Sequence, residues 1–363
     1  MNYFDSRIER LRNKLDSDTA VLVTDNISRR YLSGFKSTAG YMYISKNECV
    51  LCIDFRYFEK AKVEKARGMM ASTVDIREAN ISRKKVLSEL LEKDKTTKLL
   101  FENRKVTCEA FSGIQRDVGE LCTLCEANDF IESLRVCKDD YELERIIKAQ
   151  SITDLGFEHI IKYIKKGMTE NEIALELEFF MRKNGAEALA FETICVSGKK
   201  SSMPHGRPDE TVVTDGFLTL DFGARYAGYC SDMTRTLCIG EPSAEMKNIY
   251  DTVLNAQNEA FKKIRADVMG KEVDKAARDV IYSAGYEGCF GHSTGHSLGL
   301  EVHESPNFGP REEAKVPKNA VLSVEPGIYI EGNCGVRIED IVFLTENGYK
   351  NLTNSTKDII IIK

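Results

Sequence analysis

The chain has 363 residues, 51 lysines and arginines against 57 aspartates and glutamates, a formal net charge of −6 and 42% hydrophobic residues. That is globular composition, long enough for about two domains at roughly 150 residues each, and every domain can bury a core without disulfide staples. A mildly acidic balance with no basic block excludes the usual handle for nucleic acid or an anionic membrane surface, and no stretch reaches the roughly 18 uncharged apolar residues of a membrane span.

The expected address is the cytoplasm. Eleven cysteines, an odd number scattered from Cys49 to Cys334, fit reduced thiols there. Two Cys-x-x-Cys pairs, Cys49/Cys52 and Cys122/Cys125, invite a zinc reading that the pattern opposes. The first lies in a strand-like run, where residues three apart point to opposite faces. The second has no His or Cys nearby to complete four ligands.

Residues 1–130 alternate helical and strand patterns: Ser6–Leu15 helical, Thr19–Thr24 a β-branched run, Ala39–Asp54 paired strands, Ser82–Lys93 amphipathic. This predicts a small α/β domain, and it holds no histidine. The mixed-charge segment Glu126–Asp140 marks the boundary to a second domain over 131–363. From Tyr141, the residues Leu143, Ile146, Ile147, Ile152, Leu155, Ile160, Ile161 and Ile164 predict a long amphipathic helix ended by Gly167. Thr169 and Glu172 form a capping box for a helix running to Gly185. Thr211–Gly240 reads as strand, turn, strand. Helical patterns follow at Ser243–Ile264 and Glu272–Ala284, then another strand, turn, strand over Val316–Leu344.

Helix, helix, hairpin thus occurs twice, and each hairpin carries two carboxylates: Asp221 and Asp232, then Glu325 and Glu339. With a turn at Tyr226-Ala227, Asp221 and Asp232 face each other about 5 Å apart, where like charges destabilise. Both glutamates interrupt apolar β-rich sequence, and Pro326, lacking an N–H, puts Glu325 at a strand end or bulge. Arg337 is placed to pair with one of these acids. Of five histidines, His292, His296 and His303 share one segment whose Gly291, Gly295 and Gly299 predict turns. His205 lies in Met203-Pro-His-Gly, and His159 stands apart on the long helix, with a structural role expected.

Four carboxylates and an imidazole suit two divalent cations, whose charges offset theirs. One histidine among oxygens moves the preference from magnesium toward manganese, cobalt, iron or zinc, manganese first. Two such ions can share a water, lower its pKa and polarise a carbonyl, which is machinery for hydrolysis.

At these residues the chain resembles the pita-bread metallopeptidases, the family of methionine aminopeptidase, prolidase, Xaa-Pro aminopeptidase and the metal-free creatinase. The run His292-Ser-Thr-Gly-His296-Ser-Leu-Gly-Leu-Glu-Val-His303-Glu304 resembles the histidine signature of its proline-specific branch. The resemblance implies an α+β pita-bread catalytic domain preceded by a smaller α/β, creatinase-like domain, and a homodimer. It implies that Asp221, Asp232, His296, Glu325 and Glu339 hold two metal ions, with Asp232 and Glu339 bridging. His205, His292 and His303 would bind substrate and stabilise the tetrahedral intermediate, and Glu325 would move a proton to the leaving amine. Tyr329 and Arg337 would line the substrate site and orient ligands. Creatinase has lost the ligands present here, which disfavours creatine as substrate. The implied substrate is a peptide with proline second, whose scissile bond is a tertiary amide with no N–H, so its leaving nitrogen needs general acid help. The expected activity is that of an Xaa-Pro aminopeptidase. The alternatives are an Xaa-Pro dipeptidase and, in another class, a non-catalytic peptide-binding protein of the same fold.

Overall fold

A computed structural model describes residues 2–79 and 82–363, which divide into a unit ending at Arg135 and a second from Val136 to Lys363. No helix among the described residues is long and apolar enough to cross a membrane.

In the first unit the strands Thr19–Val23, Tyr41–Ile44 and Cys49–Ile53 are buried at every position, as unbroken apolar runs in a sheet covered on both faces must be. The sheet runs in the order Asp75–Glu78, Cys49–Ile53, Tyr41–Ile44, Thr19–Val23, Lys98–Phe101, Thr123–Glu126. Tyr41–Ile44 pairs antiparallel with both its neighbours, and the other three pairings are parallel. Asn2, Asp25, Asp54, Ser82 and Thr107 cap the five longer helices with side-chain acceptors. The Asn2 cap starts the first helix at Tyr3, earlier than periodicity placed it. The cysteines are free thiols, and burial pushes that of Cys49 up to about 12.

In the second unit the long helix Asp140–Tyr163 starts on an Asp139/Glu142 capping box. It ends before Gly167, because Ile164 has already turned to an extended ψ of 133°. The Thr169/Glu172 box opens the next helix, Glu170–Lys183. These two helices share one core with a sheet ordered Ile361–Ile362, Met233–Ile239, Gly216–Phe222, Ile194–Ser197. The helices Ala244–Phe261 and Gly270–Ser283 share a second core with the sheet Glu304–Phe308, Gly295–Ser297, Val321–Val324, Asp340–Thr345, Gly348–Asn351. The duplicated pattern is therefore a duplicated layering.

Register in the first hairpin differs from expectation by two residues. The turn is Ala227-Gly228, both with positive φ (47° and 94°), and Tyr226 pairs with Tyr229. A two-residue hairpin turn of this kind needs positive φ at both central positions, which Gly228 supplies and Tyr226 does not. Thr234, rather than Asp232, therefore lies opposite Asp221. An even shift keeps the face, so Asp232 stays on the same side of the sheet, one step diagonal.

The second hairpin keeps one register across a gap: Val324 pairs with Asp340 and Gly327 with Arg337, which sets Glu325 opposite Glu339 with no ladder bond between them. Their amides go elsewhere, Glu325 N–H to Thr294 O at 2.7 Å and Glu339 N–H to Thr234 O at 3.1 Å. Pro326 has none to give.

The histidine segment is more ordered than a loop. Gly295–Ser297 forms a strand between Glu304–Phe308 and Val321–Val324, with a shift of register at His296/Ser297. Gly295 is needed for a close approach and not for a turn: a Cβ there would sit 1.9 Å from Ser323 O.

Candidate metal centre

Three of the four hairpin carboxylates stand where strands break. Asp232 lies between Tyr229–Cys230 and Met233–Ile239, Glu325 just after Val321–Val324, and Glu339 just before Asp340–Thr345. Asp221 is the exception, within Gly216–Phe222. A ladder break frees a side chain to be aimed across the sheet.

Asp232, His296 and Glu339 each present one ligand atom, all within 4.8 Å of one another. His296 Nε2 also lies 3.3 Å from Glu325 Oε1 and 3.6 Å from Asp232 Oδ2. Its Nδ1 faces Ser297 O at 3.2 Å, so Nδ1 carries the proton of the neutral ring and the Nε2 lone pair faces carboxylate oxygens. Acceptor facing acceptor calls for a cation between them, and a backbone carbonyl on the far nitrogen is the usual support of a ligating imidazole.

Asp221 Oδ2 accepts from Arg337 Nη2 at 2.6 Å, while its Oδ1 is buried without a hydrogen-bond partner. Glu339 Oε2 accepts from Thr234 Oγ1 at 2.7 Å, and its Oε1 is likewise buried and partnerless. Two orphaned carboxylate oxygens and an imidazole lone pair together make an oxygen-rich donor set that fits divalent cations. Burial, then the neighbouring carboxylates, pushes the Asp232 and Glu339 carboxyls well above their usual range. Burial raises Glu325 to about 7. Arg337 answers the expectation of an acid partner by choosing Asp221 rather than a glutamate.

Beyond this cluster, Arg337 Nη1 donates to Tyr329 OH at 2.7 Å, and Tyr329 OH is 2.9 Å from His292 Nε2. His292 Nδ1 is 2.8 Å from Ser293 O, so both His292 nitrogens have protein partners. Burial pushes that imidazole down to about 3 and the Tyr329 phenol up to about 12. The His303 ring meets that of His296 edge-on, with centroids 4.3 Å apart. His205 is exposed, beside Pro204, whose carbonyl accepts from Arg337 Nη1 at 3.3 Å. His159 takes no part: it stacks on Phe180 at 4.0 Å and bonds Glu176 at 2.6 Å.

Sequence reasoning missed the residues that hold these in place. Thr234 Oγ1 accepts from Arg337 Nε at 3.0 Å while donating to Glu339. Ser323 Oγ accepts from His296 N and donates to Glu325 Oε1, both at 3.0 Å. Their signal is parity, since each sits two residues from an expected ligand and so shares its face. Asp274 takes Thr294 N–H and pairs with Arg278, four residues on, which bonds the Phe290 and His292 carbonyls. The buried Lys138 ammonium pairs with Glu304 at 2.9 Å, next to His303.

The model of metallopeptidase family M24 matches residues 144–346, and that of the creatinase/prolidase N-terminal domain matches residues 7–137. A curated Xaa-Pro dipeptidase of Pyrococcus horikoshii is 32% identical over 99% of this chain and 100% of its own length. Among solved structures, an Xaa-Pro dipeptidase from Bacillus anthracis superposes with TM-score 0.93 at 40% identity, over 99% of this chain and 100% of that one. An X-Pro aminopeptidase from Thermotoga maritima gives 0.90 at 38% identity, over 98% and 100%.

Proposed function

The chain belongs to metallopeptidase family M24, the metal-dependent peptidases, and from that premise we propose that it hydrolyses the bond between an N-terminal residue and proline, with Xaa-Pro dipeptides as first substrates. The observation that carries this reading is the gathering of Asp232, His296 and Glu339 within 4.8 Å, where Glu339, like Asp221, keeps a buried carboxylate oxygen without a partner. The names of the similar proteins support the specificity and move the first choice from aminopeptidase to dipeptidase. The Thermotoga structure keeps the aminopeptidase as second reading.

Asp221, Asp232, His296, Glu325 and Glu339 would hold two divalent ions, manganese first and cobalt, zinc or iron as alternatives. When bound, the pair supplies Lewis acidity at the scissile carbonyl and lowers the pKa of a water molecule. Glu325 takes the proton on its carboxylate and returns it to the proline nitrogen, which departs as an amine only once protonated. His205 and His303, both exposed, are the imidazoles open to hydrogen-bond the peptide. His292, with both nitrogens engaged, acts as a wall fixed by Tyr329. Arg337 holds Asp221 and Tyr329 in place. The reading also takes the protein as a cytoplasmic homodimer with functional domains 1–130 and 131–363, on the strength of the family resemblance.

The test compares Xaa-Pro with Xaa-Pro-Yaa hydrolysis by manganese-loaded protein. Faster dipeptide cleavage supports the proposal, and faster tripeptide cleavage makes it an aminopeptidase. Metal binding and peptide binding without turnover would make it a binding protein of this fold.

A further inference from the structure

The ladder gap that carries Glu325 and Glu339 leaves main-chain carbonyls to be satisfied in a dry core. Val324 O and Ile338 O, each one residue before a glutamate, both receive the carboxamide of Gln257, at 2.9 and 3.2 Å from Nε2. Gln257 is 0% exposed and reaches the gap from the helix Ala244–Phe261. Its Oε1 accepts from Lys357 Nζ at 2.9 Å, and the same ammonium pairs with Asp340 Oδ2 at 2.8 Å. Two acceptors on one end and a cation on the other fix the amide's direction, since a flipped group would set an oxygen against two carbonyls.

We propose that Gln257 is a positioning residue: its NH2 group replaces the missing ladder bonds and sets the separation of Glu325 and Glu339, with Lys357 fixing its orientation. The inference rests on the dinuclear reading of the site. One carboxamide touching both peptide planes ties the two glutamates to a single point, whereas separate partners would let them drift apart. A core glutamine kept only for packing would need no cation on its oxygen, and a hydrophobic side chain of the same length would satisfy packing alone.

The experiment uses full-length protein stripped of metal and titrated with Mn2+, comparing wild type, Gln257→Met, Lys357→Met and, as a stability control, Val253→Ala on the same helix. The readouts are metal stoichiometry and affinity, the exchange-coupled Mn–Mn EPR signal, thermal unfolding, and kcat separately from KM. Gln257→Met is expected to weaken one of the two ions by at least roughly tenfold, to alter the coupled signal, and to lower kcat more than KM. Lys357→Met should shift the same readouts in the same direction by less, and it carries the test should Gln257→Met fail to fold. Val253→Ala should lower the melting temperature and leave both ions and their coupling intact. Unchanged affinities and coupling in both Met variants, with only a lower melting temperature, would overturn the proposal. Wild-type protein that binds no pair of ions would instead overturn the functional reading beneath it.

Discussion

In the first hairpin the ladder between Gly216–Phe222 and Met233–Ile239 stops at Gly223 and Asp232 and resumes at Ala224–Tyr226; in the second, the break spans Glu325-Pro326 on one strand and Ile338-Glu339 on the other. A side chain from a packed helix enters each. The narrow break takes the Thr153 hydroxyl, which accepts from Ala224 N at 3.1 Å and meets Ser231 Oγ at 2.8 Å. The wide one takes the Gln257 carboxamide. The narrow break also brings its strands so close that a Cβ on Gly223 would stand 2.1 Å from Ser231 O. The narrow break is thus closed by tight backbone contact, whereas the wide one admits a longer filler, so the two should fail differently.

The largest effect is expected from removing the charge that the narrow break presents. Asp232→Ala should abolish metal occupancy and lower kcat/KM by roughly three powers of ten, the loss of several kcal/mol of transition-state stabilisation, read by metal analysis and peptide assay. Next in size is Gly223→Ala, expected to cost about 3 kcal/mol in urea unfolding, because the methyl must displace a carbonyl in the close-packed narrow break. Chelation acts on both hairpins at once. At a free ion concentration a hundredfold above Kd, stripping the metal should remove about 2.7 kcal/mol of stability for each ion lost, restored by Mn2+. The smallest effect is expected from Thr153→Val, about 1 kcal/mol with metal affinity unchanged, since Ala224 N–H keeps Ser231 Oγ at 2.9 Å. A Thr153→Val protein that lost an ion would erase the distinction between the two fillers.

What could be read from the chain was what is local. A carboxylate inside an apolar β run is costly wherever the run folds, so Asp221, Asp232, Glu325 and Glu339 stood out without coordinates. The Thr169/Glu172 box was legible for the same reason, since its partners are three residues apart. The hairpin register was not, because Tyr226-Ala227-Gly228-Tyr229 lacks an Asn-Gly or Asp-Gly pair to mark its centre, and Ala227 adopts positive φ only under the constraint of the flanking strands. The glycine of His292–His303 misled in a different way: Gly295 looks like a turn residue until the Ser323 carbonyl arrives from a distant strand. Arg337's choice of Asp221 over the glutamates is equally non-local.

The segment 354–362 touches both hairpins. Arg235 donates to the Ser355 and Thr356 carbonyls, Lys357 steadies Gln257, and Ile361–Ile362 pairs in parallel with the strand that follows Asp232. All of it emerges from the ribosome after every candidate ligand has been translated. A nascent chain stalled before Lys357 should therefore keep the direct bonds between its hairpins, Thr234 to Glu339 and Arg337 to Asp221, and lack only the hold that the tail places on Arg235 and Gln257.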